Sequence, residues 1–296
     1  AAPKSEGLSL ASVLSEFNAV YTTHLRSEAE EILSALDEAF ETADTHGLRL
    51  IVSHIKCAGR GNWDRSETVL EKIKAASLKQ DIACDCYPYT ASSSSLDIKQ
   101  VNEDTKIFIT WSLKAPEVAG QYLHEIAQQW QMTIFDAAER LHPAGAIYHC
   151  MLEADVSRFL AYEKTMIGSD GIPSDPHPHP RLWGTFPRVL GRYSREQKLF
   201  SIATAVKKMS GLPAQQFGLE KRGRLLPGYY ADIVMFNPDT VRDSATYTSP
   251  TLPAQGIDAV WVNGVLSYQS EKFFAEPHSG RAGRMLRRTN HRFKES

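Results

Sequence analysis

The stretch Gly47-Leu48-Arg49-Leu50-Ile51-Val52-Ser53-His54 decides the fold. Leu48 to Val52 is a β-type run, entered from a helix-closing glycine and left through Ser53-His54. Upstream, Glu30 to Ala43 puts Ile32, Leu33, Leu36, Ala39 and Phe40 on one stripe, which predicts an amphipathic helix. Before it, Ala19-Val20-Tyr21-Thr22 predicts a short strand ending at Thr23-His24. Downstream, a helix is expected from about Ser66 to Leu78, then a strand from Ile82 to Cys86 ending at Tyr87-Pro88-Tyr89. A later strand, Thr165 to Gly168, ends at Ser169-Asp170. Repeated strand–helix–strand units predict a parallel sheet covered by helices. Function collects at the C-terminal ends of such strands, where His24, His54, Tyr87 and Asp170 all stand.

Between Ser92 and Thr165 lies a longer insertion, partly helical from Ala115 to Leu141. The last quarter changes character. Gly228-Tyr229-Tyr230-Ala231-Asp232 reads as a turn and Ile233-Val234-Met235-Phe236 as a strand. Ala259 to Val262 is a further strand, followed by Asn263-Gly264, a strong hairpin signal. These strands are expected to pair antiparallel in a small β module. The tail from Arg281 to Ser296 is basic and polar and reads as loosely held.

Of the 296 residues 42% are hydrophobic, enough to bury a large core. The net charge of -2 gives no reason to expect nucleic acid or an anionic membrane surface as partner. No apolar run reaches the roughly 18 residues of a transmembrane span. Cys57, Cys84, Cys86 and Cys150 fit neither a disulfide framework nor a CxxC zinc knuckle. Reduced thiols in a cytoplasmic protein are the expectation. The chain opens on Ala1 without a leader, and a segment upstream is expected to be absent.

His24, His54 and Asp170 combine placement with chemistry, since neutral imidazoles and a carboxylate are the usual N/O ligands of zinc. In one barrel all three would project into one mouth. Each has a plainer reading: a hydrogen-bonded histidine, or an aspartate in the turn Gly168-Ser169-Asp170-Gly171. Lys56 shares a strand face with His54 if the strand continues, and would bind a carboxylate; otherwise it is a solvated lysine. Arg181 follows His177-Pro178-His179-Pro180, a stiff loop that would hold it over the mouth, and arginine recognises carboxylates with paired hydrogen bonds. A surface arginine is the alternative. His177 and His179 read as loop residues, not metal ligands. Tyr87 or Tyr89 would offer a hydroxyl to a developing oxyanion, or else pack under the loop. Ser92 to Ser95 is a polar loop or a hydrogen-bonding wall.

Several segments resemble one known family. Thr23-His24-Leu25-Arg26-Ser27-Glu28 resembles the THxRxE segment of D-aminoacylases, and Ser53-His54-Ile55-Lys56 their SHxK segment. Asp85-Cys86-Tyr87-Pro88-Tyr89-Thr90-Ala91 is similar to their D-x-YPY-x-A stretch. Gly168-Ser169-Asp170-Gly171 with His179-Pro180-Arg181-Leu182-Trp183-Gly184-Thr185-Phe186 matches GSDG…HPRxxGTF. Lys221-Arg222-Gly223 with Gly228 to Val234 resembles the entry to the C-terminal β module. The segments run in order from about Tyr21 to Gly264.

The resemblance to the D-aminoacylase (N-acyl-D-amino-acid deacylase) family, within the amidohydrolase superfamily, implies an α/β fold. It implies the C-terminal half of a (β/α)8 metal-dependent hydrolase barrel plus part of a small β domain. Residues 1–225 would be the partial barrel, about strands five to eight with an insertion, 226–275 part of the small β domain, and 276–296 a basic tail. His24, His54 and Asp170 fall where the family binds zinc, and Asp170 where it shuttles the proton. Lys56, Tyr87, Ser93 and Arg181 fall where it handles the substrate carboxylate and the scissile carbonyl. The implied reaction is hydrolysis of small N-acyl-D-amino acids by a zinc-activated water. The family's HxH pair on its first strand and its cysteine ligand are lacking, so the missing N-terminal half of the same protein is the expected partner. A cyclic-amide hydrolase of the dihydroorotase or hydantoinase kind, and an inactive truncated fragment, are the alternatives.

Overall fold

The computed structural model describes residues 2–17, 19–269, 272–273 and 282–288. The chain opens on helix α1 (Lys4–Glu16), which no sequence expectation covered, and enters strand β1 (Val20–Thr23). Helix α2 (Ile32–Thr45), strand β2 (Arg49–Val52), helix α3 (Ser66–Ala76) and strand β3 (Ile82–Cys86) follow, within a few residues of the expected bounds.

The insertion departs from expectation. Strand β4 is Ser92–Ser95, four serines in a row, and strand β5 is Lys106–Ser112. Helices α4 (Leu123–Gln129) and α5 (Ile134–Leu141) lead to strand β6 (Ala144–His149). The three strands form an antiparallel sheet in the order β4-β6-β5, so the serine run is not a loop but a strand paired with Gly145 to Tyr148.

Helix α6 (Glu153–Ala161) returns the chain to strand β7 (Thr165–Ile167). Helix α7 (Arg181–Arg188) carries Pro187 near its end and runs into a π-helical turn over Val189–Glu196. Proline has no N–H to give the α-ladder, and the bonding pattern loosens there. Helices α8 (Ile202–Met209) and α9 (Gly211–Phe217) complete this part, α9 ending at Gly218 in the left-handed conformation.

The strands β1-β2-β3-β7 lie in that order, all parallel. They are half the number in a closed eight-stranded barrel. Both faces are buried at β2, β3 and β7, as parallel sheets require, while the edge strand β1 is only partly covered. Leu50, Val52 and Cys84 join the core with Leu36, Phe40, Ile73 and Phe159 of the helices. Ile51, Ala83 and Met166 point the other way and are covered by Leu212 of α9. That is why β2 reads as a continuous apolar run rather than an alternating one.

Strands β8 (Ile233–Phe236), β9 (Ile257–Val262), β10 (Val265–Gln269) and β11 (Lys272–Phe273) form an antiparallel sheet, as expected of the last quarter. Asn263 (φ 50°) and Gly264 (φ 81°) both take positive φ, the demand of a two-residue hairpin turn. Of the basic tail, residues 282–288 carry no regular structure; 281 and 289–296 lie outside the described residues. No helix among the described residues is long and apolar enough to cross a membrane.

Lys208 ties α8 beneath the sheet. It is buried, and its ammonium donates to the carbonyls of Tyr162 and, at 3.1 Å, Thr165. Burial lowers its pKa from 10.5 to about 8. The folded amine therefore binds fewer protons than the unfolded one between those values, and stability rises with pH across that window. The urea midpoint of the parent, relative to that of Lys208→Met, is expected to climb between those pH values; a flat difference would contradict the burial argument.

Candidate metal and substrate site

Thr23 of β1 and Val52 of β2 are in register, so the residues beyond them meet at one rim. His24 follows at once, and His54 lies one residue past a tight step at Ser53, whose N–H donates to Thr23 O at 3.0 Å. His54 has φ 38°, a left-handed conformation that side chains rarely adopt. Asp85 of β3 holds it there. One carboxylate oxygen accepts the His54 N–H at 2.9 Å and the Asp85 carbonyl accepts that of Ile55 at 2.8 Å. Asp85→Ala would strand a buried N–H, and a loss of about 1–3 kcal/mol is expected by urea unfolding. Asp85→Asn keeps an acceptor and is expected to recover most of it.

The ring nitrogens His24 Nδ1 and His54 Nε2 face each other at 3.1 Å. Nitrogen ligands sit about 2.0–2.1 Å from zinc, so tetrahedral ligand atoms are roughly 3.3 Å apart. The pair fits an ion of that size. Burial lowers the His24 pKa; the Glu28 carboxylate opposes this, while His54 and Lys56 add to it. The outcome favours the neutral imidazole, the form that binds metal.

Glu28 completes the cluster and was not singled out from the sequence, although it closes the THxRxE segment. His24, Glu28 and His54 offer ligand-type atoms within 4.8 Å of one another. Glu28 Oε1 is 2.9 Å from His54 Nδ1 and 3.8 Å from His24 Nδ1, and it pairs with the Lys56 ammonium. Burial pushes the Glu28 carboxyl up, but the His54 hydrogen bond and the Lys56 charge outweigh it and hold it at about 2. Lys56 reaches His54 by a different route from the one expected. β2 ends at Val52, so no strand carries both residues; the chain turns, and Lys56 Nζ comes to 2.8 Å from His54 Nδ1.

Arg181 is not on a loop: the stiff segment stops at Pro180 and Arg181 opens helix α7. A cation at a helix N-terminus is unfavourable, and Asp170 offsets it, with Oδ2 2.7 Å from Arg181 Nη2. Asp170 itself has φ 48°. It stands apart from the His24–Glu28–His54 cluster, though its charge is felt at His24. Arg181 is 2% exposed, and its Nε and Nη1 have no hydrogen-bond partner among the described residues. Its guanidinium lies over the Tyr87 ring at 4.5 Å. The Tyr87 hydroxyl is also buried and has no partner among the described residues, whereas that of Tyr89 donates to Pro180 O at 3.4 Å. Tyr87 is thus the tyrosine with a donor to spare.

Ser93 lies half-buried on β4 opposite Ile147 and makes no hydrogen bond to these residues. His179 Nδ1 accepts the Arg181 N–H at 2.9 Å, and His177 Nε2 contacts Tyr247 O at 2.7 Å; both tie loops rather than joining the cluster. All four cysteines are buried free thiols, and burial pushes Cys57 and Cys84 up to about 12.

Two imidazoles at the ends of neighbouring parallel strands, with ring nitrogens 3.1 Å apart, are an arrangement that could hold a metal ion. Residues 155–268 match the sequence model of the amidohydrolase family. The chain is 46% identical over 276 residues to a D-aminoacylase of Alcaligenes xylosoxydans xylosoxydans, covering 93% of this chain and 56% of that one. It is 45% identical over 280 residues to an N-acyl-D-glutamate deacylase of the same organism, covering 94% and 56%. A solved D-aminoacylase structure superposes with a TM-score of 0.92 at 46% identity, over 97% of this chain and 60% of that one. The N-acyl-D-glutamate deacylase of Bordetella bronchiseptica, solved with zinc and a phosphonate mimic of the tetrahedral intermediate, gives 0.91 at 43% identity, over 97% and 60%. Over more than nine-tenths of its length the chain is thus similar to D-aminoacylases and N-acyl-D-glutamate deacylases. It spans little more than half the length of the curated relatives it matches.

Proposed function

We propose that this chain supplies the metal-binding histidines and the substrate clamp of a zinc-dependent N-acyl-D-amino-acid deacylase. The observation that carries the reading is the His24–His54 nitrogen pair, linked through Lys56 and the Tyr87 ring to Arg181, a buried guanidinium whose Nε and Nη1 have no partner among the described residues. His24 and His54 would hold the ion, with Asp170 approaching from its own strand end. Zinc, when bound, supplies activation of water and polarisation of a carbonyl.

The chain's own residues do the rest. Lys56 and Arg181 bind the carboxylate of the N-acyl-D-amino acid, Arg181 through the nitrogens that Asp170 leaves free. That fixes the scissile amide against the rim. The Tyr87 hydroxyl donates to the amide oxygen as charge builds on it. Ser93 lines the same side. The Asp170 carboxylate, positioned by Arg181, takes the proton of the attacking water and gives it to the leaving nitrogen.

Residues 1–225 are read as the barrel arc, 226–275 as part of a small β domain and 276–296 as a basic tail. The remaining barrel strands are assigned to an N-terminal part of the same protein. Apolar side chains exposed at α1 (Leu10, Val13) and around α7 and α9 (Trp183, Phe186, Phe217) support a covering partner at the open edges. Free buried thiols suit a reducing compartment, and we assign the protein to the cytoplasm.

The test is turnover of paired N-acyl-D- and N-acyl-L-amino acids by the gene product, with and without a zinc chelator. Chelator-sensitive release of the D-amino acid is expected. Turnover of neither, or turnover indifferent to chelation, would remove the reading. A cyclic amide such as a hydantoin serves as competitor; preference for it would move the assignment to the cyclic-amide hydrolases.

A further inference from the structure

The geometry points to Glu28 as a positioning residue: its carboxylate fixes the His54 ring in the Nδ1–H form, so that the Nε2 lone pair faces His24. The inference rests on the reading of His24 and His54 as metal ligands given above. His54 Nδ1 has two partners in reach, Glu28 Oε1 at 2.9 Å and Lys56 Nζ at 2.8 Å. An ammonium group only donates and an ionised carboxylate only accepts. With its proton on Nδ1, the ring donates to Glu28 and leaves Nε2 bare. With its proton on Nε2, the ring accepts from Lys56 and turns an N–H toward His24 Nδ1, 3.1 Å away, which closes the site to a cation.

Glu28 decides between these forms because it also accepts from Lys56. The ammonium is satisfied without the imidazole, and Nδ1 is left to donate. Glu28 is poorly placed to be a ligand alongside both histidines. Its oxygen lies on the Nδ1 side of the His54 ring, whereas His24 lies on the Nε2 side. A carboxylate behind a ligating imidazole fixes its tautomer and orientation, and losing one lowers metal affinity 10–100-fold.

The test uses the full chain with 15N in its histidine rings, free of metal and above neutral pH, where imidazoles are uncharged. Two-bond 15N–1H correlations read the tautomer of each ring, with His54 identified by its loss in His54→Gln. The parent is expected to show the Nδ1–H form at His54. In Glu28→Ala, Lys56 becomes the only partner of Nδ1, and the Nε2–H form is expected to take over. Zinc affinity, measured by competition with a coloured chelator, then falls 10–100-fold. Glu28→Gln keeps an acceptor oxygen and is expected to restore the Nδ1–H form and most of the affinity. Lys56→Met removes the competing donor and is expected to leave the Nδ1–H form in place. Persistence of that form in Glu28→Ala would overturn the inference. So would a Glu28→Gln chain as weak for zinc as Glu28→Ala, because the carboxylate would then be a ligand. If the parent itself bound no zinc, the metal reading would fall, while the tautomer comparison would still decide the role of Glu28.

Discussion

His54→Ala is expected to abolish tight zinc binding and to lower kcat/KM for N-acyl-D-amino acids by at least ~10³-fold. The size follows from the several kcal/mol that a metal contributes to a charge-developing hydrolysis, at 1.36 kcal/mol per factor of ten. The side chain is tied on both edges, to His24 through Nε2 and to Glu28 and Lys56 through Nδ1, so its removal opens the cluster at its centre. Folding should suffer little, because alanine leaves the backbone anchor to Asp85 intact. The measurements are zinc content after dialysis, kcat/KM and a urea midpoint on one preparation. Retained zinc with retained turnover would show that the histidine pair is not the metal centre.

Arg181→Met is the second large effect, an expected drop in kcat/KM of about 10²–10³-fold. The Asp170 side of its ion pair is exposed and adds little, so the size rests on the buried guanidinium's pairing with the substrate carboxylate in the proposed complex, where truncating one partner of a buried charged pair costs about 2–5 kcal/mol. Lysine should not rescue it. An ammonium can replace the charge but not the spread of donors or the stacking over Tyr87 at 4.5 Å. A substrate analogue lacking the carboxylate separates the two roles. If Arg181 clamps the carboxylate, the variant should discriminate between the natural substrate and the analogue far less than the parent does, with Lys56 accounting for the preference that remains. A variant that still prefers the carboxylated substrate by the full factor would assign the clamp elsewhere.

The parallel sheet was legible because each strand is a compact apolar run followed by a helical stripe and a polar exit. Leu48 to Val52 is the clearest case, and burial on both faces explains why it does not alternate. The insertion was not legible in the same way. Ser92–Ser95 carries no apolar signal, and its strand is made by pairing with β6, a contact that no local pattern encodes. Lys106–Ser112, by contrast, is rich in β-formers and its strand could have been found.

At the site, residues at strand ends were placed by sequence position, and His24 and His54 do meet. The supporting carboxylates were not foreseen as such. Glu28 and Asp85 both stood within quoted segments, but their partners are 26 and 31 residues away along the chain, beyond any spacing rule. Asp170 shows the opposite limit. Its position at the end of β7 was read correctly, while its pairing with Arg181 depends on where α7 begins.

The left-handed backbone at His54 and Asp170 has an evolutionary consequence. Non-glycine residues held in sparsely populated conformations carry strain of order 1–3 kcal/mol each, and glycine would relieve it at either position. A heat-challenge selection blind to turnover would therefore be drawn toward replacing the two side chains to which the proposed function gives metal binding and proton transfer. Libraries of this protein screened for robustness alone should accumulate sturdy, inert variants at these positions, and only a paired activity screen would keep the histidine and the aspartate.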